Sequence, residues 1–429
     1  MSVALYWFRR DLRVDDNPAL AQAIAWAQAH DARLLPVVCR EDVALHSPWG
    51  PLPRSERQRA WFAQARAALR AQLQALNSDL WEVQDVAQAH ALARAAGVSQ
   101  VFAERILAPD EVTQEKAWAR AWPDACHFIW QSTLLAPQDL PFAPEDTPRV
   151  FTAFRQAVEA AGQRASLPLV APTALPPPPS ITPMSSAEPP ATAAPPHDPR
   201  SSLRGERASG SDAAWAHWRD YLRRGLPHRY RDTRNDLSGH DFSSQLSLDL
   251  ATGALSPRRA VALLDDFEAE HGQSKSSYWL WFELMWRDHF RWLHWRYPGV
   301  SLYRARGLAD APRTASASAA DWQAWCGGQT GCALVDAGMR ELAATGYLSN
   351  RMRQIVASHW LHDMGGDWRA GAAWFQAQLL DEDVYSNQGN WLYIAGLGSD
   401  PRGGRRFDVD KQARQYDPNG AYRALWGAA

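Results

Sequence analysis

VALYWF, residues Val3–Phe8, is the first of five short apolar runs that decide the fold of the N-terminal half. The others are RLLPVVC (Arg33–Cys39), LWEV (Leu80–Val83), QVFAE (Gln100–Glu104) and HFIW (His127–Trp130). Their length and near-continuous apolar content suit strands buried on both faces. Ala-rich amphipathic stretches such as Ser55–Asn77 and Ala87–Gly97 lie between them. Strand–helix alternation of this kind predicts an α/β domain with a doubly wound parallel sheet. No G-x-G-x-x-G follows the first run, so no Rossmann dinucleotide site is signalled in this half.

Outward from these runs the composition changes. A segment rich in Pro, Ala and Ser, residues 168–200, cannot form a core and reads as an extended connector. Beyond it the strand signal disappears. Helical patterns cover Ser211–Arg224, Pro257–His271, Ser276–Tyr297, Met339–Thr345, Asn350–His362 and Trp368–Leu380. The expected organisation is an α/β domain over 1–167, a linker over 168–200 and an all-α domain over 201–429. Two domains are also what 429 residues would ordinarily form.

Composition is that of an ordinary globular chain, with 46% hydrophobic and 21% charged residues. No run reaches the length of a membrane-spanning helix, and the N-terminus has no signal-peptide plan, so a cytoplasmic protein is expected. Cys39, Cys126, Cys326 and Cys332 are scattered, which predicts neither a metal site nor a disulfide. The net charge of -2 neither announces nor excludes a nucleic-acid surface. Twenty-two tryptophans are many. Most should be core, but indoles also stack on bases and flavins.

Four stretches carry candidate chemistry. In DFSSQLSLDLATGALSPRR (Asp241–Arg259), clustered hydroxyls before a helix start suit a pyrophosphate or an ordinary turn. In WLWFELMWRDHFRWLHWRY (Trp279–Tyr297), Glu283, Trp286 and Arg287 share a helix face. That face could line a ligand cavity or be an amphipathic surface with satisfied ion pairs. In MRELAATGYLSNRMRQIVASHWL (Met339–Leu361), Ser349 is a plausible N-cap that brings Asn350, Arg353 and Gln354 into the first turns of a helix. LLDEDVYSNQGNWLYIAGLGSD (Leu379–Asp400) pairs Asp381 with Asp383, then Asn387 and Trp391. No His completes a metal set there, and the segment equally reads as a Gly-rich surface loop.

Taken together, in this order and spacing, these stretches resemble the photolyase/cryptochrome family, and within it the DASH-type cryptochromes. The matching pieces include YWFRRDLRVDDNPAL, YRDTRNDLSGHDFSSQLS, LATGALSPR, ELMWRDHFR, TGCALVDAGMRELAATGYLSNRMRQ, DEDVYSNQGNWLYIAGLGSD and QYDPNGAYRALW. The resemblance spans nearly the whole chain apart from the Pro-rich segment. It implies an α/β antenna domain followed by a helical domain that binds FAD.

By motif position, the resemblance places the FAD phosphates at Tyr230 and at Ser243, Ser244, Gln245, Leu246 and Ser247. Arg287 would stand beside the cofactor, and Arg353 and Asp381 would form an ion pair against the flavin. Asp383 would bond the pyrimidine edge of the ring, and Asn387 would face N5. The implied reaction is blue-light-driven repair of cyclobutane pyrimidine dimers, preferentially in single-stranded DNA, by electron transfer from reduced flavin. Glu283, Trp286, Asn350, Gln354 and Tyr393 match the lesion pocket. A blue-light sensor that signals to a protein partner is the alternative implied function. DNA would be the partner of the repair enzyme, a monomer is expected, and Arg351, Arg402, Arg405 and Arg406 are candidate phosphate contacts. A folate antenna, methenyltetrahydrofolate, would lie near Glu111.

Trp391 and Trp368 match the first two members of the family's electron-transfer tryptophans. The third position falls near Ala315, inside TASASAAD, where no Trp stands. Trp322 or Trp325, a short way downstream, would be the substitutes, although the resemblance matches Trp325 to a separate structural position. Met352 and Ile355 replace the usual Gly and Asn of the DASH motif, and Ala333-Leu334 replaces a Pro-aromatic pair.

Overall fold

The computed structural model describes residues 2–40, 44–181, 195–204, 207–400 and 403–427. Its N-terminal half contains a five-stranded sheet in the order β5-β2-β1-β6-β7. The strands are β1 (Val3–Phe8), β2 (Arg33–Cys39), β5 (Trp81–Val83), β6 (Val98–Glu104) and β7 (Cys126–Ile129). All four pairings are parallel, with Leu5 opposite both Leu35 and Val101. Helices α1 (Pro18–Ala29), α2 (Glu56–Ala75), α3 (Val86–Ala95) and α4 (Pro109–Ala121) provide the crossovers. The unbroken apolar character of β1 follows from this arrangement. Ala4, Tyr6 and Phe8 enter one core, while Val3, Leu5 and Trp7 enter another on the opposite face. A two-stranded antiparallel hairpin, β3 (Leu45–Ser47) and β4 (Gly50–Leu52), is too short to announce itself in sequence.

After β7 the chain turns toward the helical half. Trp130, Leu134, Leu135 and α5 (Phe151–Ala161) share one core with the second half. The Pro-rich segment then runs back along the sheet. Leu175 and Ile181 pack against the two sheet cores, and the Pro177 carbonyl accepts a bond from the Leu34 amide at 3.2 Å. Residues 182–194 of that segment lie outside the described residues.

The second half comprises α6 (Ser211–Arg223), α7 (Tyr230–Thr233), α8 (Ser247–Thr252), α9 (Pro257–His271), α10 (Lys275–Arg296), α11 (Ala319–Cys326), α12 (Ala333–Thr345), α13 (Asn350–Ser358), α14 (Trp368–Gln378), α15 (Val384–Ala395), α16 (Val409–Tyr416) and α17 (Ala421–Trp426). Short helices α7, α8, α11, α16 and α17 are not expected from the sequence, and three further departures bear on the site. Helix α12 starts at Ala333 rather than Met339, because Asp336 accepts bonds from the Thr330 and Gly331 amides and fixes the turn ahead of it. Regular α13 ends at Ser358, and His359–Asp363 form a π turn rather than reaching His362 as α-helix. There Trp360 is fully buried and donates to the Asp367 carbonyl at 2.9 Å. The segment that read as a Gly-rich loop forms α15, capped by Asp383, whose side chain accepts from the Ser386 amide. Gly389 is inside that helix because a Cβ would lie 2.1 Å from the Phe290 ring.

The halves meet through buried ion pairs. Asp16, just before α1, is bonded by Arg258 of α9 through Nε and Nη2, each at 2.9 Å, and by Ser256 Oγ. Gly253 sits directly against the Arg10 backbone, in a left-handed turn with φ of 72°. No described helix is long and apolar enough to cross a membrane.

Among the described residues, Glu341 of α12 has no cationic partner within bonding distance. It accepts bonds from Tyr422 and Ser202, and burial pushes its carboxyl up to about 8. A folded pKa above the unfolded value of roughly 4.3 makes folding weaken as pH rises through that interval. Glu341→Gln should therefore be the more stable protein at pH 8, with the margin shrinking toward pH 5. Unfolding curves of both proteins at the two pH values measure this.

Candidate functional site

Helix α10 supplies one wall of a cavity deep in the helical half. Its N-terminus is held by a capping box at Ser274, and Leu280, Glu283, Leu284 and Arg287 face the cavity at helical spacing. A turn at Ser243–Ser247 forms a second wall, with Gln245 left-handed at φ of 53°. Helix α13, capped by Ser349, brings Asn350, Arg353 and Gln354. The α14–α15 connection brings Asp381 and Asp383, and α15 brings Asn387 and Trp391. With Tyr230 these residues enclose about 1260 Å³ of empty space, including the opening to solvent. All the residues expected to hold the flavin cofactor thus line one cavity, although they are dispersed from 230 to 387.

Charge inside the cavity is arranged in buried pairs. Arg353 bonds both oxygens of Asp381, at 3.0 and 2.8 Å, and its Nε donates to the Leu348 carbonyl at 2.9 Å. Burial alone would raise the Asp383 carboxyl, but Arg291 and Arg287 hold it well below the usual carboxylate range. Burial lowers the Arg287 guanidinium to about 10, with Arg291 adding repulsion, so it remains a cation at neutral pH. Arg291, one turn beyond Arg287, was not singled out as a site residue. Its bond to Asp383 makes it the anchor of that carboxylate, and the four-residue spacing is the signal that reveals it.

Among the described residues, the cavity atoms Gln245 Oε1, Arg287 Nε and Gln354 Oε1 are buried without a hydrogen-bond partner. Buried polar groups are ordinarily satisfied, so these fit a polar ligand that completes them. The Asn387 amide nitrogen is committed to the Ala372 carbonyl at 2.9 Å, leaving Oδ1 as its remaining acceptor. A flavin fits this donor set: hydroxyls and backbone at one wall, paired charges and an amide at another.

The expected lesion-pocket residues divide. Glu283, Asn350 and Gln354 line the cavity, and Glu283 is ion-paired with Arg234. Trp286 and Tyr393 line a smaller adjoining cavity, 5.9 Å apart and edge-on. One face of Trp286 is covered by Phe151, stacked at 3.7 Å with a 12° angle between planes. Phe151 comes from α5, and no local pattern could have linked it to Trp286. Trp391 forms part of the cavity wall, tight against Gly371. Trp368 is buried and donates to the Ala305 carbonyl at 3.0 Å.

Glu111 opens onto a third cavity between the halves, with His46, Tyr303, Arg304 and Trp368. Asn387 belongs to both this cavity and the first. Among the arginines expected at DNA, Arg351 bonds Asn235 at 2.8 Å and lies over Tyr416, and Arg405 donates to the Tyr393 hydroxyl at 2.9 Å. Arg406 pairs with Asp363 at 2.6 Å, and Arg402 lies outside the described residues. No cluster of three metal-ligating side chains occurs among the described residues.

Comparison with known proteins agrees with this geometry. Residues 279–428 match the FAD binding domain of DNA photolyase, and residues 4–179 match the DNA photolyase family. Cryptochrome DASH of Natronomonas pharaonis is 39% identical over 436 residues, covering 99% of this chain and 90% of that protein. The crystal structure of Synechocystis sp. PCC6803 cryptochrome superposes with a TM-score of 0.91 at 35% identity, covering 99% of this chain and 88% of that one. A bacterial class III photolyase from Agrobacterium tumefaciens gives 0.80 at 26% identity, covering 99% and 86%. With an α/β sheet domain joined to a helical domain that holds a charged cavity, and with these relatives, the chain belongs to the photolyase/cryptochrome family, among the DASH-type cryptochromes, as an FAD-binding protein.

Proposed function

We propose that this protein repairs cyclobutane pyrimidine dimers in DNA under blue light, with single strands preferred over duplex. The observation that carries the reading is that Glu283 and the unsatisfied Gln354 Oε1 line the same cavity as the residues expected to hold the flavin. Bound FAD, reduced and photoexcited, would lend the single electron that splits the cyclobutane ring and would take it back once the bonds have broken.

The protein's own residues do the rest. Arg234 pairs with the Glu283 carboxylate and orients it, so that it can accept an N–H from a flipped-out pyrimidine. Gln354 and Asn350 give further polar contacts on the cavity lining. Trp286 and Tyr393 supply aromatic surface beside it, with Phe151 bracing the indole. Asn387 and the Arg353–Asp381 pair orient the cofactor. Extruding the dimer costs a few kcal/mol, less where stacking is already weak, and least in a single strand. The two halves divide the work: residues 201–429 hold flavin and lesion, and 1–167 hold a folate antenna near Glu111, across Asn387 from the flavin. We place the protein in the cytoplasm as a monomer.

Glu283→Ala removes a charge-assisted hydrogen bond of about 1.5–3 kcal/mol, so repair should fall roughly tenfold to a hundredfold while FAD remains bound. Repair rates and flavin absorbance on the same preparation measure both quantities. Loss of FAD without a separable repair defect would move Glu283 out of the lesion pocket.

A further inference from the structure

The missing tryptophan near Ala315 raises the question of how an electron reaches the cavity from outside. Among the described residues, no aromatic ring packs against Trp368, the second member of the expected series. A different set of indoles does make contact. Trp391, on the cavity wall, meets Trp325 at 6.3 Å between ring centroids. Trp325 is stacked on Trp322 at 5.8 Å, with 29° between planes. Trp322 is stacked on Trp49 at 6.4 Å and 14°. Trp49 sits at the tip of the β3–β4 hairpin and is 38% exposed, while Trp391, Trp325 and Trp322 are all buried.

We propose that this row, Trp391–Trp325–Trp322–Trp49, is the route by which the flavin is photoreduced, and that its exit to solvent lies on the hairpin of the N-terminal half. The inference rests on FAD occupying the cavity and is independent of what DNA the protein acts on. Electron transfer between rings falls steeply with the gap between them, so a row of rings in contact outcompetes one with a missing member. Indole is among the most easily oxidised side chains. Trp391 gives one electron toward the photoexcited cofactor and is restored by Trp325, Trp325 by Trp322, and Trp322 by Trp49. Trp49 is then the oxidised ring, and a small thiolate in solution returns one electron to it and leaves as a thiyl radical. Each photon thus moves one electron from thiolate to cofactor.

The N–H groups support this direction. The Trp325 indole donates to the Val356 carbonyl at 3.1 Å in the dry core, so its oxidised form keeps its proton and passes the vacancy onward. Trp374 also touches Trp322, at 6.0 Å, but its Nε1 is buried without a partner and has no outlet for a proton. The exposed Trp49 ring is open to both water and the donor.

The test uses the FAD-loaded, oxidised protein with no DNA present, illuminated with blue light and a thiol. Trp49→Phe should slow flavin bleaching about tenfold and shorten the lifetime of the tryptophan radical seen by transient absorption. Trp49 is at a hairpin tip, so an unchanged flavin spectrum in the dark verifies that the variant is folded. In a second arm, wild-type protein illuminated in air without thiol is digested and its oxidised tryptophans are mapped by mass spectrometry, with Trp49 expected to carry the most. Wild-type bleaching in Trp49→Phe would overturn the route, as would oxidation collecting at another tryptophan. Because DNA is absent and repair can be assayed on chemically reduced protein, failure here is distinct from failure of the repair reading.

Discussion

Arg353→Met is expected to cost about 3–5 kcal/mol of stability and to release FAD, the typical penalty when one member of a buried ion pair is removed. The side chain of Asp381 is only 1% exposed and takes both of its bonds to a cation from Arg353. Without the guanidinium, the carboxylate is a desolvated charge on the wall of the flavin cavity. Methionine retains most of the stem's packing, so the loss reports charge rather than volume. Asp381→Leu in the same background should recover much of the stability, because an apolar pair of similar size can replace a buried ion pair. It should not recover the flavin, since the polar wall is gone. Denaturant midpoints for the single and double variants, with flavin retained after gel filtration, separate the two effects. Full flavin retention in Arg353→Met would mean that the pair only supports the fold.

Asp16→Ala should produce a loss of similar size, about 3–5 kcal/mol, for the same physical reason at a different place. Arg258 is 5% exposed and bonds the Asp16 carboxylate through both Nε and Nη2. Asp16 also accepts from the Leu169 amide at 2.8 Å, where the Pro-rich segment begins. One carboxylate therefore ties together the start of α1, the connector and the start of α9. Its removal should weaken the junction of the two halves more than either half alone. Unfolding followed by flavin fluorescence and by far-UV circular dichroism should then no longer coincide. Coincident curves at the wild-type midpoint would show that the clamp contributes little.

The sequence made some of this legible and hid the rest, for physical reasons. The sheet could be read because strands buried on both faces are apolar throughout, as in β1 and β2. Helix α15 could not. Its Asn, Gly and Ser residues look like a loop, and only the packed structure shows that Gly389 is there to admit Phe290. Arg353 and Asp381 could be paired by motif resemblance but not by spacing, since one lies on α13 and the other after α14. Trp286 stacked on Phe151 and Trp322 stacked on Trp49 join residues far apart in the chain. Local periodicity carries no trace of such contacts. The Pro-rich segment was legible as coreless, while its docking through Leu175 and Ile181 depended on where the sheet lay.

The most direct test of the repair assignment is blue-light treatment of a single-stranded oligonucleotide carrying one cyclobutane thymine dimer, with protein whose flavin has been chemically reduced beforehand. Pre-reduction makes the result independent of any tryptophan route. Restored thymines are expected in the light and none in the dark, with slower restoration in the matching duplex. An intact dimer after illumination, with FAD bound and reduced, would contradict it and would point instead to light sensing through a protein partner.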